Sequence, residues 1–110
     1  MADDCVIGTQ ASTGSFSPSG LRNGGKVTEV TVSSASWTPL PATALSGRNA
    51  MGVQNQSAIE IKLNYDSSTA GYVGVVVAAG AERYYDISDN IILYAKATSG
   101  SPTIIVEEIS

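Results

Sequence analysis

Hydrophobic and polar residues alternate most strictly between positions 59 and 65. Ile59, Ile61, Leu63 and Tyr65 fall on one side, while the residues between them are polar or charged. Because successive side chains of a β-strand point to opposite faces of a sheet, this period of two predicts a strand with one buried and one solvated face. The sequence therefore predicts a β-strand near the middle of the chain.

Short apolar segments of the same kind recur along most of the chain, separated by polar or glycine-containing turns. Strands are predicted over residues 27–34, 51–53, 59–65, 72–77, 82–87, 91–97 and 103–109. Pro39 and Pro41 lack amide donors and predict a sheet edge or a crossing between sheets. About seven or eight short strands with frequent turns are typical of an all-β fold, here a single antiparallel β-sandwich that is jelly-roll-like.

The length of 110 residues fits one domain, but its first part differs from the rest. Residues 8–25 are rich in Gly, Ser and Thr, with Phe16 and Leu21 as their only sizeable apolar groups. We therefore expect a flexible N-terminal arm over residues 1–26 and a β-sandwich domain over residues 27–110. The arm is either a loose terminus or a segment that becomes ordered on a partner. In the second case Phe16 and Leu21 are its anchors, and Arg22 and Lys26 pair with acidic groups.

Charged residues make up only 15% of the chain, against about 25% in ordinary globular proteins. Its solvated faces must therefore be covered by hydroxyl and amide groups, which cost less to desolvate than ions and suit contact with another protein. The net charge is −4 and the six basic residues are scattered. This pattern argues against nucleic acid and membrane surfaces as partners.

Cys5 is the only cysteine, so no internal disulfide can form. The first residues lack the pattern of a secretory signal, so we expect none, and the longest apolar run is too short to cross a bilayer. We expect synthesis and folding in a reducing cytoplasm, which leaves later assembly into a particle open.

Candidate catalytic and metal-binding groups are few. The chain has no histidine, which removes the commonest general base and transition-metal ligand. The acidic residues considered as paired glycosidase carboxylates are Asp66, Glu82, Asp86, Asp89, Glu107 and Glu108. Asp66 and Asp89 lie in turn sequences, and the successive strand positions Glu107 and Glu108 point apart. We expect a protein that is not an enzyme and that holds no metal or cofactor.

The aromatic residues are candidates for the core, for sugar stacking or for partner contact. Core positions are predicted for Tyr65 and Tyr94. Tyr84 and Tyr85 are adjacent on a strand and so face opposite sides, which predicts that one of them lies at an interface. The full set of predicted partner-binding residues is Phe16, Leu21, Arg22, Lys26, Trp37, Tyr84 and Tyr85.

Residues 42–108 carry a series of strings in a characteristic order. These are ATALSGRNAMGVQN, IEIKLNYDSS, AAGAERYY, ILYAKA and a final IIVEE. The series resembles small virion structural proteins of tailed bacteriophages, in which a Gly-Arg step leads into a strand ending in Gln-Asn. The resemblance rests on scaffold positions and covers more than half of the chain.

The resemblance implies a capsid decoration, or cement, protein. Such a protein binds the outer surface of the major capsid protein lattice, stabilises the DNA-filled head, and forms a homodimer or trimer. It would be found on the virion after synthesis in the host cytoplasm. Two alternatives stay open: a neck, tail or head-fibre-associated protein of the same kind, and a carbohydrate-binding module that uses Tyr and Trp as stacking platforms.

Overall fold

The computed structural model describes residues 23–110, and all of the regular secondary structure in that range is β-strand. The eight strands are β1 (Gly25–Thr31), β2 (Thr38–Pro39), β3 (Ala50–Gln54), β4 (Ile61–Asn64), β5 (Val75–Val77), β6 (Glu82–Tyr85), β7 (Tyr94–Ala97) and β8 (Thr103–Ile109). Residues 23–110 include no helix that could cross a membrane. Phe16, Leu21 and Arg22, three of the predicted partner-binding residues, lie outside the described range.

The strands form two antiparallel four-stranded sheets. Sheet I has the order β1-β8-β3-β6, and sheet II has the order β2-β7-β4-β5. The first described strand pairs with the last, the second with the seventh, the third with the sixth and the fourth with the fifth. This nested pairing across two sheets is the jelly-roll arrangement. The predicted all-β, jelly-roll-like sandwich is therefore confirmed.

The hydrophobic core lies between the two sheets. Alternate residues of β8 and β4 reach into it, Ile104 and Val106 from one sheet and Ile61 and Leu63 from the other, and none is more than 1% exposed. The strict alternation in the sequence thus marks a real difference between a dry and a wet face. The other core side chains are Val30, Val32, Leu40, Met51, Val53, Val77, Leu93, Ala95 and Ala97.

The first strand begins two residues before the predicted domain boundary. Gly25 and Lys26, assigned from sequence to the arm, lie in β1 opposite Ile109 and Glu108 of β8. The pairing continues beyond the strands, since the amide of Ser110 donates to the carbonyl of Gly24 over 2.8 Å. The glycine-rich composition concealed this extension, because glycine has low strand propensity and gives no alternating pattern.

The proline segment forms the edge of sheet II, which is one of the two predicted alternatives. β2 contains only two residues, and Pro39 lies opposite Tyr94 of β7. Leu40 follows with its side chain buried, and its amide donates to the carbonyl of Leu93 over 2.8 Å.

The strand predicted over residues 72–77 is shorter than expected and covers only residues 75–77. Val77 is buried, but Val73 and Val75, which have the same strand parity, are 69% and 42% exposed. β5 is an edge strand, and the sandwich is open beside it. Just before it, Gly74 passes so close to β4 that a Cβ atom there would lie 2.5 Å from the carbonyl oxygen of Leu63.

Candidate protein-binding surface

Exposed apolar side chains are concentrated around β5. Residues 23–110 contain seven large hydrophobic residues that are exposed, and five of these lie between positions 65 and 76. We call these five residues the β5 surface: Tyr65, Tyr72, Val73, Val75 and Val76. Apolar side chains that are exposed singly are ordinary, but a group of them on one part of a surface marks a site of interaction.

A groove opens between the two sheets next to this surface. It has a volume of about 240 Å³, and its lining includes Val73 and Val75 from the edge of sheet II and Tyr85 from sheet I. Leu63 and Leu93, which belong to the core and are each 1% exposed, also line it. The groove can therefore take an apolar side chain that would extend the core outward.

The rim of the groove is aromatic. The rings of Tyr65 and Tyr85 meet edge to face, with their centroids 6.4 Å apart. The pKa of Tyr65 is raised, chiefly by burial and also by Tyr85, against the opposing effect of Arg83. The Arg83 guanidinium lies 5.8 Å from the centre of the Tyr85 ring. Tyr65, predicted as a core residue, is 55% exposed because β4 ends at Asn64 and the alternation ends with it.

The loop of residues 65–74, which carries three residues of the β5 surface, is held against the outer face of sheet II by Lys96. The Lys96 ammonium lies 4.9 Å from the centre of the Tyr72 ring and 5.7 Å from that of Trp37, and it donates to the Gly71 carbonyl over 2.9 Å. The indole nitrogen of Trp37 donates to the Thr69 carbonyl over 2.7 Å. Cation–π contacts of this kind strengthen when the cation is desolvated, and Lys96 is only 9% exposed.

The predicted partner-binding residues Trp37 and Lys26 lie apart from the groove. Trp37 is 8% exposed, so its ring packs inside the cluster with Lys96 and is not presented to a partner. Lys26 is exposed on β1, away from β5 in the other sheet. These residues therefore do not form one site with the groove.

Tyr84 and Tyr85 face opposite sides of β6, as their adjacent positions predict. Tyr85 packs against the core and lines the groove. Tyr84 lies on the other face, where its hydroxyl donates to a Glu82 carboxylate oxygen over 2.8 Å. That hydrogen bond is the main cause of the raised pKa of Tyr84. Tyr85 is thus the member of the pair that belongs to the β5 side of the molecule.

A buried ion pair holds two loops to sheet I. Arg48 Nη1 lies 3.0 Å from Glu108 Oε2, with both side chains no more than 1% exposed. Arg48 Nη2 donates to the carbonyls of Ser88 and Ile91 over 2.8 and 2.6 Å. Glu108 Oε2 also accepts the amide of Leu45 over 2.9 Å. The pair therefore fixes residues 45–48 and 88–91 against β8.

The Arg48–Glu108 pair is not among the sequence predictions, although the position of Glu108 along its strand indicates it. In the sequence, Arg48 is recognisable only as part of the Gly-Arg step before a strand, and Glu108 only as one of the candidate carboxylates. Yet Glu108 has the same strand parity as Ile104 and Val106, which places it on the buried face of β8. A carboxylate on a buried face needs a cationic partner, and the chain has only six Lys and Arg residues to choose from.

A second buried polar residue, Asn55, fastens β5 from inside. It is 1% exposed, and its side-chain amide donates to the carbonyls of Ile59 and Val77 over 2.8 and 3.0 Å. Its side-chain oxygen accepts the Ser57 hydroxyl over 2.6 Å. Asn55 therefore holds the end of β5 in place while the outer edge of that strand stays open.

Within residues 23–110, no three His, Cys, Asp or Glu side chains are grouped in a way that could hold a metal ion. The Asp66 carboxylate accepts the Ser68 hydroxyl and amide over 2.7 and 2.9 Å, and these bonds lower the pKa of Asp66. This arrangement is a local turn of the kind that its sequence predicts.

Comparison with known proteins assigns neither a family nor a function to this chain. No family model, curated protein or solved structure matches this chain. The resemblance of residues 42–108 to small phage virion proteins therefore stays a prediction from the residues, and the fold and the β5 surface are the structural basis for a functional proposal.

Proposed function

We propose that this protein is a non-enzymatic structural component of a bacteriophage virion, a decoration protein that binds the outer surface of the major capsid protein lattice. The observation that carries the proposal is the gathering of five of the seven exposed large hydrophobic residues of the described range on one edge of a jelly roll. Surfaces of that kind bind other proteins. The resemblance of residues 42–108 supplies the identity of the partner.

The composition of the remaining surface supports the same proposal. Few ions need to be desolvated when a protein with 15% charged residues contacts a neighbour. The sandwich is also braced internally by the Arg48–Glu108 pair and by Asn55, so its loops are held in place before binding. Preorganised surfaces lose less entropy on association.

The mechanism of such a protein is mechanical. A protein that binds only the assembled lattice lowers the free energy of the intact state and leaves the separated state unchanged, so the lattice becomes harder to rupture. Weak individual contacts add up to strong retention when the protein is a dimer or trimer with several attachment points.

The test is a count of bound copies. Purified full-length protein is mixed with expanded capsids that are assembled from the major capsid protein of the same virus and lack this chain. Binding in proportion to lattice subunits, together with a higher rupture temperature of the capsid, is the expected result. No binding to the shell would overturn the proposal.

Two other outcomes would support one of the two alternative functions. A few copies at a single vertex would place the protein in the neck or tail. Binding to sugars on a glycan array, unaffected by added capsid, would favour a carbohydrate-binding module.

A further inference from the structure

The two described sheets have four edge strands, and three of them carry features that hinder pairing with another strand. In sheet I, β1 contains Lys26 and Glu29, and β6 contains Glu82 and Arg83. In sheet II, β2 contains Pro39. Charged residues and proline on edge strands are the usual means by which proteins prevent edge-to-edge association.

The fourth edge strand, β5, has neither feature. Its three residues are all valine, and the sequence from position 71 to 81 contains no charged residue or proline. Val75 and Val76 are 42% and 47% exposed. β5 is only three residues long, which limits the number of hydrogen bonds at its edge. Its uncharged, β-branched and exposed side chains nevertheless leave that edge open to another strand.

We propose that β5 pairs antiparallel with β5 of a second copy of this chain, which joins the two copies of sheet II into one continuous eight-stranded sheet. The contact is isologous, so the same residues are used by both copies. The register that pairs all three residues of β5 places Val76 opposite Val76 of the second copy. Val75 and Val76 of each copy then gain cross-strand neighbours on the two faces of the joined sheet.

The uncharged edge at β5 is where a second copy meets the least like-charge repulsion, because no charged residue lies between positions 71 and 81. Each copy has a net charge of −4, so two copies associate best through a neutral part of their surfaces. The nearest charge on the outer face of sheet II is Lys62, which lies opposite Val76 on β4 and pairs with Glu60 over 3.1 Å. In the joined sheet the two Lys62 residues are three strand spacings apart, roughly 14 Å. This exceeds the screening length of about 8 Å at physiological salt.

The inference rests on the proposed function only in treating the protein as an oligomeric structural component, and the two can fail separately. It concerns the protein alone in solution, whereas the proposed function concerns its binding to a capsid. A dimer that does not bind capsids would overturn the function and keep the inference.

The first experiment measures the mass of the full-length protein in solution by light scattering. We expect twice the 11.3 kDa of the chain. Val76→Lys places two ammonium groups directly opposite each other and should raise the dimer dissociation constant by at least about tenfold. The matched control is Val27→Lys, which changes another exposed strand valine, 65% exposed on the edge strand β1 of sheet I. An unchanged far-ultraviolet spectrum and thermal transition show that each variant is folded.

The second experiment tests the register by cross-linking. In a Cys5→Ser background, which has no other cysteine, Val76→Cys should form a covalent dimer with a short bismaleimide, because directly opposed Cβ atoms lie about 4.5–5.5 Å apart. Val27→Cys should remain monomeric on denaturing gels.

Two results would overturn the inference. One is a wild-type protein that stays monomeric at millimolar concentration. If Val76→Lys also abolishes capsid binding in that case, the edge of β5 pairs with a strand of the capsid protein instead. The other is a dimer that is equally sensitive to Val76→Lys and Val27→Lys and does not cross-link through position 76.

Discussion

Arg48 and Glu108 form an ion pair in the interior of the molecule, although 60 residues separate them in the sequence. The pair joins a loop to the strand β8, and two further carbonyls accept hydrogen bonds from the same guanidinium. Glu108 Oε1 and Arg48 Nε are buried and have no hydrogen-bonding partner among residues 23–110, so the site depends on the remaining contacts to compensate two desolvated charges.

Removing one member of this pair should be strongly destabilising. Arg48→Met leaves the Glu108 carboxylate buried without a cation, which costs about 3–5 kcal/mol of unfolding free energy. Urea denaturation measures the loss. The matched control is Lys62→Met, which breaks the partly exposed pair with Glu60 and should cost no more than about 1 kcal/mol. Similar losses for both variants would show that the buried pair has no special role.

Lys96→Met should loosen the loop of residues 65–74. The variant keeps the apolar stem but loses the ammonium between Trp37 and Tyr72 and its hydrogen bond to Gly71. We expect a loss of about 1–3 kcal/mol, faster amide exchange in the loop, and a change in the fluorescence of the single tryptophan. Lys96→Arg, which preserves the cation, serves as the control. Unchanged exchange in Lys96→Met would mean that the aromatic rings alone hold the loop.

Gly74→Ala should destabilise the pairing of β4 with β5. The added methyl group would lie 2.5 Å from the Leu63 carbonyl oxygen, which is part of the backbone and cannot move aside alone. Overpacking of this kind costs about 1–3 kcal/mol. Gly24→Ala, where nothing lies within 4 Å of the new atom, should change stability by less than about 0.5 kcal/mol. Thermal unfolding distinguishes the two, and equal transitions would contradict the close approach.

The ionisation of Tyr84 should depend on Glu82. The hydroxyl donates to the Glu82 carboxylate, which raises the pKa of Tyr84 above its ordinary value of 10.0. Because the folded pKa is above the unfolded one, this contribution to stability is complete below pH 10 and is lost as the pH rises through the folded pKa. In Glu82→Gln the pKa of Tyr84 should fall towards its ordinary value.

Tyrosinate absorbance measures this shift during an alkaline titration. Glu29→Gln removes an exposed carboxylate from β1 and should leave the tyrosine titration unchanged. If Glu82→Gln also leaves it unchanged, another neighbour is responsible for the raised pKa.

Much of the fold is visible in the sequence because burial on one face imposes a period of two. The alternation places Ile61 and Leu63 correctly in the core. It cannot place the valines before position 77, because periodicity shows which residues share a face and does not show whether the facing sheet extends far enough to cover them. At β5 it does not, and that is where the groove opens.

The candidate site was harder to predict for a related reason. Trp37 was expected at a surface, since a large aromatic residue beside prolines has no periodic pattern to place it. Its burial depends on a loop some thirty residues later, through the hydrogen bond to Thr69, and on Lys96 still further along. Contacts between such distant segments follow from strand order, which one sequence does not specify.

The position of β8 has a consequence for how the protein is made. β8 is the last of the described strands, yet it lies between β1 and β3 in sheet I. On the ribosome, β1 therefore emerges early and waits without its hydrogen-bonding partner until translation has passed position 109. Folding that depends on such long-range pairing is slow, and strands that wait exposed are prone to aggregate. Nascent chains of this protein should thus depend on chaperones until β8 has been released.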